Sequence, residues 1–239
     1  MRRPVFEIPH TCNGPSESGN GGYTAGRFAS FLNGPHTIRI MKPIPLDTPM
    51  EIVETDERVY ARAAGEDILM ARPTTLLPQE IPAPPVLEDV RAAMADPISF
   101  GADGFSSCLV CGRNRDTGDG LRIWCGPLEE GVAHLWVPHA NFCDGDGKVK
   151  DEYLWGALDC PGAFSLPDTA RNVLLGEITA EIYDRPKVGN PVTIAAWRIA
   201  GEGRKHTART VLYAESGAPL AQSETLWIEL TDAQMAAMA

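Results

Sequence analysis

The chain has 239 residues, 44% hydrophobic and 22% charged, with a formal net charge of −11 at pH 7, a composition ordinary for a globular protein that can bury a sizeable core. The acidic balance argues against a nucleic-acid partner, because phosphate contacts need clustered Lys and Arg. No run approaches the roughly 18 apolar residues of a membrane span, "MRRPVFEIPH" has no apolar segment that would make it a signal peptide, and six irregularly spaced cysteines fit reduced thiols in the cytoplasm better than a disulfide framework.

In chain order, the first feature is "SESGNGGYTAGRFASFL", residues 16–32, a glycine-rich loop that runs into a helix. Glycine before a helix marks a turn, a tight packing contact or a ligand's approach. Ala25, Phe28, Ala29 and Leu32 form one apolar stripe, and Asn33-Gly34-Pro35 stops the helix. Alternation around Ile38 and Ile40, and again around Val59 and Ala61, predicts strands with one buried face. Gly65 with Glu66 and Asp67 predicts a hairpin turn. The segment "PTTLLPQEIPAPPVL", residues 73–87, carries five prolines and reads as an extended spacer. A short helix, "LEDVRAAMA", follows and ends before Pro97.

Beyond the spacer, "GLRIWCGPLEEGVAHLWVPH" predicts a hairpin turning near Glu129 to Gly131. "DEYLWGALDCPGAFSL" predicts a second helix, with Asp151 as N-cap and Leu154, Trp155 and Leu158 as its stripe. Pro161 should kink or shorten it. A long meander of strands follows, with turns at Val188-Gly189-Asn190, Glu202-Gly203 and Ser216-Gly217. Each half therefore places a helix before antiparallel strands, an α+β arrangement in which a sheet buries one helix. The expected organisation is one unit over 1–78, a Pro-rich linker with its short helix over 79–104, and a second unit over 105–239, as in a divergent tandem duplication.

"GNGGYTAGRFASFL" resembles the helix start of hotdog-fold acyl-CoA thioesterases. "SCLVCGRNRDTGDGLRI" is similar to the CxxCG leader that precedes many hotdog domains, "WGALDCPGAFSL" to the central helix of that superfamily, and "EGRKHTARTVLYAESGAPLAQSETLWI" to its last strand pair. The order of these motifs along most of the chain resembles a double-hotdog protein of the thioesterase superfamily. That resemblance implies two hotdog units with continuous sheets and adjacent helices. It also implies an acyl-CoA or other acyl-thioester substrate, no cofactor, and the option of a homo-oligomer formed through the sheets.

It further implies a composite site. Aligning the helices on their glycines sets Asp159 opposite Ala29, and Gly21-Gly22 opposite Asp151-Glu152. One half would supply backbone N–H donors at Gly21 and Gly22 for an oxyanion. The other would supply Asp159 as the base, its pKa raised by apolar neighbours. An aspartate before Pro161 could equally be a capping residue. Asn20, Tyr23, Trp155, Phe164 and Thr179 are the candidate substrate contacts, although Asn20 also suits an N-cap and the aromatics suit a core. Double-hotdog thioesterases pair their Asp with a Gln on the last strand. Gln222 falls a few residues early for that role, and Ala163 stands where some members have Thr.

Cys108 and Cys111 make a CxxC that offers two of the four ligands a structural zinc needs. Only Cys125, His139 and Cys143 lie near in sequence, so no metal is expected and the leader should pack under the sheet. Cys160 reads as a small buried hydrophobe. The leading expectation is an acyl-CoA thioesterase. The alternatives are a non-catalytic acyl-CoA or hydrophobic-ligand binding protein, and a lyase or isomerase using the same pocket.

Overall fold

The computed structural model describes residues 3–99, 103–170, 172–231 and 234. Among the described residues four α-helices appear in chain order: α1 (Gly21–Ala29), α2 (Leu87–Ala93), α3 (Asp151–Ala157) and α4 (Cys160–Phe164). The strands are β1 (Val5–Phe6), β2 (His36–Ile40), β3 (Met50–Glu54), β4 (Val59–Ala63), β5 (Glu66–Pro73), β6 (Gly126–Pro127), β7 (Val132–Trp136), β8 (Val173–Ile182), β9 (Val192–Glu202), β10 (Lys205–Ala214) and β11 (Pro219–Glu229). They pair antiparallel throughout, in one sheet of order β1-β3-β4-β5-β2-β8-β11-β10-β9-β7-β6.

The junction between the halves is β2 against β8, in the register Thr37↔Thr179, Ile38↔Ile178 and Arg39↔Glu177. Strands before the linker lie on one side of it and strands after the linker on the other, so the two sheets are continuous. α1 packs against β2 and β8, α3 against α1 and β8, and α4 against β7, β9 and β10. One sheet face is thus sealed by a helix layer. Between them lie Phe28, Ile38, Leu69, Leu154, Leu158 and Ile178, all fully buried. Apolar area removed from water is the main stabilising term of such a core.

Local chemistry sets the turns. The β4–β5 hairpin turns on Ala64 and Gly65, both at positive φ, one residue earlier than expected, with Glu66 and Asp67 already in β5. Two positive-φ residues in a two-residue loop match the right-handed twist of the flanking strands. α1 ends at Ala29, a turn short of Leu32. Lys150, not Asp151, is the N-cap of α3, and Asp151 lies in the first turn, where its charge suits the helix dipole.

The linker expected over 79–104 includes residues 100–102, which lie outside the described residues. The proline-rich segment 73–87, which begins inside the unit expected over 1–78, is a strap rather than a free spacer. The Leu77 N–H donates to Glu181 at 2.6 Å, Gln222 Nε2 to the Pro78 carbonyl at 3.3 Å, and the Tyr213 hydroxyl to the Pro82 carbonyl at 3.0 Å. Ile81 packs on Ala195, Val211 and Tyr213. The strap therefore covers the sheet face away from the helices. α2 docks on β6 and β7 at the far edge. Among the described residues, no helix is long and apolar enough to cross a membrane.

Candidate active site

The start of α1 is built for close approach. Asn20 takes an extended backbone (φ −62°, ψ 130°), and its Oδ1 accepts from the Tyr23 N–H at 2.9 Å as a true N-cap. A Cβ on Gly22 would sit 2.5 Å from Asp159 Cβ and 2.5 Å from the Trp155 carbonyl. One turn on, a Cβ on Gly26 would sit 2.8 Å from Glu152 Cα and from Trp155 Cβ. Gly22 and Gly26 thus let α1 lie directly on α3. Gly21 has a different reason: a Cβ there would meet Leu175 and Ile40 at 2.8 and 2.9 Å, so its freedom from a side chain serves packing on the sheet.

The second helix breaks where the site needs it. Pro161 has no N–H to offer the Ala157 carbonyl, so the helix cannot run through. α3 ends at Ala157, and Asp159 (φ −84°, ψ −82°) stands at the break before α4. Its side chain caps nothing on its own helix. Instead Oδ2 accepts from the Gly22 N–H of α1 at 2.8 Å. The Leu158 carbonyl accepts from Ser223 Oγ on β11 at 2.9 Å, which ties the broken segment to the sheet.

Asp159 is 2% exposed and its Oδ1 has no partner. Burial pushes its pKa up to about 7, against the lowering effects of the Gly22 N–H and, more weakly, the Asn20 amide, while the neighbouring Cys108 adds to the rise; a carboxylate taken out of water loses solvation that these contacts do not restore. The group borders a small pocket of about 60 Å³. Asn20, Gly21, Cys108, Cys111 and Cys160 share that pocket, with Phe105, Leu175 and Trp227 among its apolar walls.

The sulfurs of Cys108, Cys111 and Cys160 lie within 4.8 Å of one another. Cys108 and Cys160 are 4.0 Å apart at Sγ. Asn20 Nδ2 sits 3.8 Å from Cys108 Sγ and 4.0 Å from Cys160 Sγ. The CxxC leader therefore packs against the helix starts rather than simply under the sheet. Arg115 anchors it to the first half, donating to the Thr11 carbonyl at 2.7 Å and to Asn13 Oδ1 at 2.5 Å.

Among the expected site residues, Asp159, Gly21 and Asn20 meet at the pocket, and the Gly22 N–H reaches Asp159 from behind it. Tyr23, Trp155, Phe164 and Thr179 do not line it. Tyr23 packs on Tyr153 with tilted rings, centroids 5.2 Å apart, Trp155 fills the α1–α3 interface beside Gly26, and Phe164 is buried in the core. The Thr179 hydroxyl pairs with Thr37 Oγ1 at 2.8 Å across the sheet junction. Gln222 is on the strap side, bonded to Tyr183 and near Glu181, so it is no partner for Asp159. Sequence reasoning takes Cys160 for a small buried hydrophobe and misses its meeting with Cys108 and Cys111, and it misses Ser223 altogether. Neither carries a local signal, since Cys160 meets the CxxC only across 52 residues.

No family model matches the chain, and no curated protein matches it by sequence. Solved structures do. A provisionally assigned thioesterase from Novosphingobium aromaticivorans aligns with a TM-score of 0.65 at 12% identity, covering 96% of each chain. A hot dog fold protein of unknown function from Alicyclobacillus acidocaldarius aligns with a TM-score of 0.59 at 12% identity, over 96% of this chain and 94% of that one. The tesB protein of Mycobacterium avium subsp. paratuberculosis gives 0.56 at 13% identity, over 96% and 93%. At such identity the likeness defines the fold: this chain is a double hotdog, two helix-and-sheet units joined through one sheet.

Proposed function

We propose that the protein hydrolyses acyl thioesters of the acyl-CoA type, with Asp159 as general base. The observation that carries this reading is the Asp159 carboxylate, held by Gly22 across the helix interface while Oδ1 stays unpartnered beside an apolar pocket. A base needs a fixed orientation and a free oxygen lone pair for the attacking water. The N–H of Gly22 fixes the first, and the free Oδ1 supplies the second. The thioesterase description of the similar structure from Novosphingobium aromaticivorans agrees with this class.

The same geometry revises the roles of the glycines. The Gly22 N–H orients the base, and Gly21, at the pocket wall, is the helix-start residue left to meet the thioester carbonyl. At about 60 Å³ the pocket has room for a small reacting group and a water, so on this reading the bulk of an acyl chain would lie outside it. Six free thiols suit a reducing compartment such as the cytoplasm.

A binding-only role is the second reading, favoured by the position of Gln222 on the opposite sheet face. Hydrolysis assayed across short, long and aromatic acyl-CoAs, together with Asp159→Asn, separates the two. Turnover that Asp159→Asn abolishes supports the hydrolase. Tight acyl-CoA binding without turnover in the wild type supports the binder.

A further inference from the structure

We propose that Cys108, Cys111 and Cys160 form a three-thiolate site for zinc, with the fourth coordination position open to the pocket bordered by Asp159. Tetrahedral zinc holds thiolates at about 2.3 Å, which sets sulfur–sulfur edges of about 3.8 Å. The observed 4.0 Å between Cys108 and Cys160, and the 4.8 Å limit on the whole cluster, leave shifts of less than about an ångström to reach that geometry.

The backbone around the cluster is already arranged as a ligand turn. The Gly112 N–H donates to the Cys108 carbonyl at 2.9 Å. A Cβ on Gly112 would lie 2.5 Å from that oxygen, so the CxxCG turn closes only with glycine there. Cys160 comes from a separate segment, the first residue of α4, placed by the break at Pro161.

Two polar groups face the sulfurs with chemistry suited to a charged site. The Asn20 amide cannot point the other way, because its Oδ1 is committed to the Tyr23 N–H. Its Nδ2 is therefore directed at Cys108 and Cys160, the placement of an outer partner that steadies thiolate ligands. Asp159 Oδ1 is buried and accepts no hydrogen bond of normal geometry, an unusual state for a native polar atom, and the nearby Asn20 amide bears on its carboxylate as a weaker influence. A water on the ion's fourth position would supply the missing donor. Three protein ligands and one solvent position are the pattern of sites that activate water rather than of closed structural ones.

Loading would exchange three thiol protons for one divalent ion, with no change of oxidation state. Only the use of the fourth position rests on the hydrolase reading; ion binding is independent of it. This reverses the expectation from the CxxC alone, which lacked its third ligand.

The test is a titration of the full chain, stripped with a chelator under reducing conditions, with Zn²⁺ and separately with Co²⁺. The expected result is one ion per chain, with cobalt giving sulfur-to-metal charge-transfer absorption and the visible bands of a four-coordinate ion. Cys160→Ser should remove about a third of the charge-transfer intensity, since two thiolates of three remain. Cys111→Ser, at a half-buried position, should do the same if Cys160→Ser folds poorly. Cys143→Ser, outside the cluster, should change neither stoichiometry nor spectrum. Absence of stoichiometric binding by the wild type overturns the site, as does a spectrum that survives both cluster variants intact. Thioester turnover by a chain that takes up no ion removes the metal site and leaves the hydrolase standing. One bound ion with no turnover supports the site and removes the hydrolase.

Discussion

The N–H of Gly22 and the carboxylate of Asp159, 137 residues apart, meet at 2.8 Å across the α1–α3 interface. Neither residue alone makes a site. The glycine removes a side chain that would occupy the aspartate's own volume, and the helix break at Pro161 turns the aspartate away from its own helix.

Gly22→Ala should separate the helices. Alanine ordinarily favours a helix over glycine by up to about 1 kcal/mol. Here its Cβ meets the Trp155 carbonyl and Asp159 Cβ, and backbone cannot rotate away. Overpacking of this kind costs about 1–3 kcal/mol, so the melting temperature should fall by several degrees and turnover should fall with it. Thermal unfolding and acyl-CoA assays on the same preparation check both; an alanine variant as stable and active as the wild type would contradict the packing reading.

Asp159→Asn should retain the fold, because Asn Oδ1 can still accept from the Gly22 N–H. It removes the proton acceptor, and a general base typically contributes about 10²–10⁴ in rate. Turnover should drop by that order while ligand affinity and melting curve change little. If turnover persists, Asp159 is not the base.

Ser223→Ala tests the position of that base. The variant leaves the buried Leu158 carbonyl without its 2.9 Å donor, a loss of about 1–3 kcal/mol for an unsatisfied buried group. Stability should fall by that amount, and kcat should fall more than KM rises, since Leu158 precedes Asp159. Ser223→Thr keeps the hydroxyl and should recover much of kcat. Steady-state kinetics of the two variants provide the comparison.

His134 should make the fold acid-sensitive. Burial holds its pKa down to about 4, with the Arg113 charge a smaller contribution in the same direction. Its ring nitrogen pairs with the Trp124 carbonyl at 3.0 Å. Unfolded histidine titrates near 6.5, so between about 6.5 and 4 the unfolded chain binds the extra proton. Stability should therefore fall as pH drops through that window, by up to about 3 kcal/mol at its lower end. His134→Gln, which can still donate to Trp124, should flatten that limb. Denaturant midpoints measured from pH 7 to 4 for both proteins test it.

Glu181→Ala should free the strap. Glu181 accepts from the Leu77 N–H, Gln79 Nε2 and the Tyr183 hydroxyl, and the strap has few other polar anchors to the sheet. Limited proteolysis should then cut within residues 74–86 faster than in the wild type, with the Asp159 pocket unaffected. Equal cutting rates would show that Ile81 packing and the bonds from Gln222 to Pro78 and from Tyr213 to Pro82 suffice to hold the segment.

Much of this was legible in the sequence because it depends on local rules. The helix starting at the glycines, the strands alternating around Ile38 and Val59, the meander turns and the break at Pro161 all follow from side-chain period, backbone freedom and a missing N–H. The resemblance between the halves also puts Gly22 and Asp159 into one composite site, but with Gly22 as an oxyanion donor; that its N–H instead bonds the Asp159 carboxylate is not foreseen there. What tertiary structure alone decided is which faces and which distant segments meet. Gln222 and Thr179 sit on a sheet buried on both faces, by helices on one and the strap on the other, so alternation no longer marks inside from outside. Cys160 joins Cys108 and Cys111 only because a leader and a helix, remote along the chain, pack on the same helix start. Chain spacing carries no information about such a contact; burial and close packing created it.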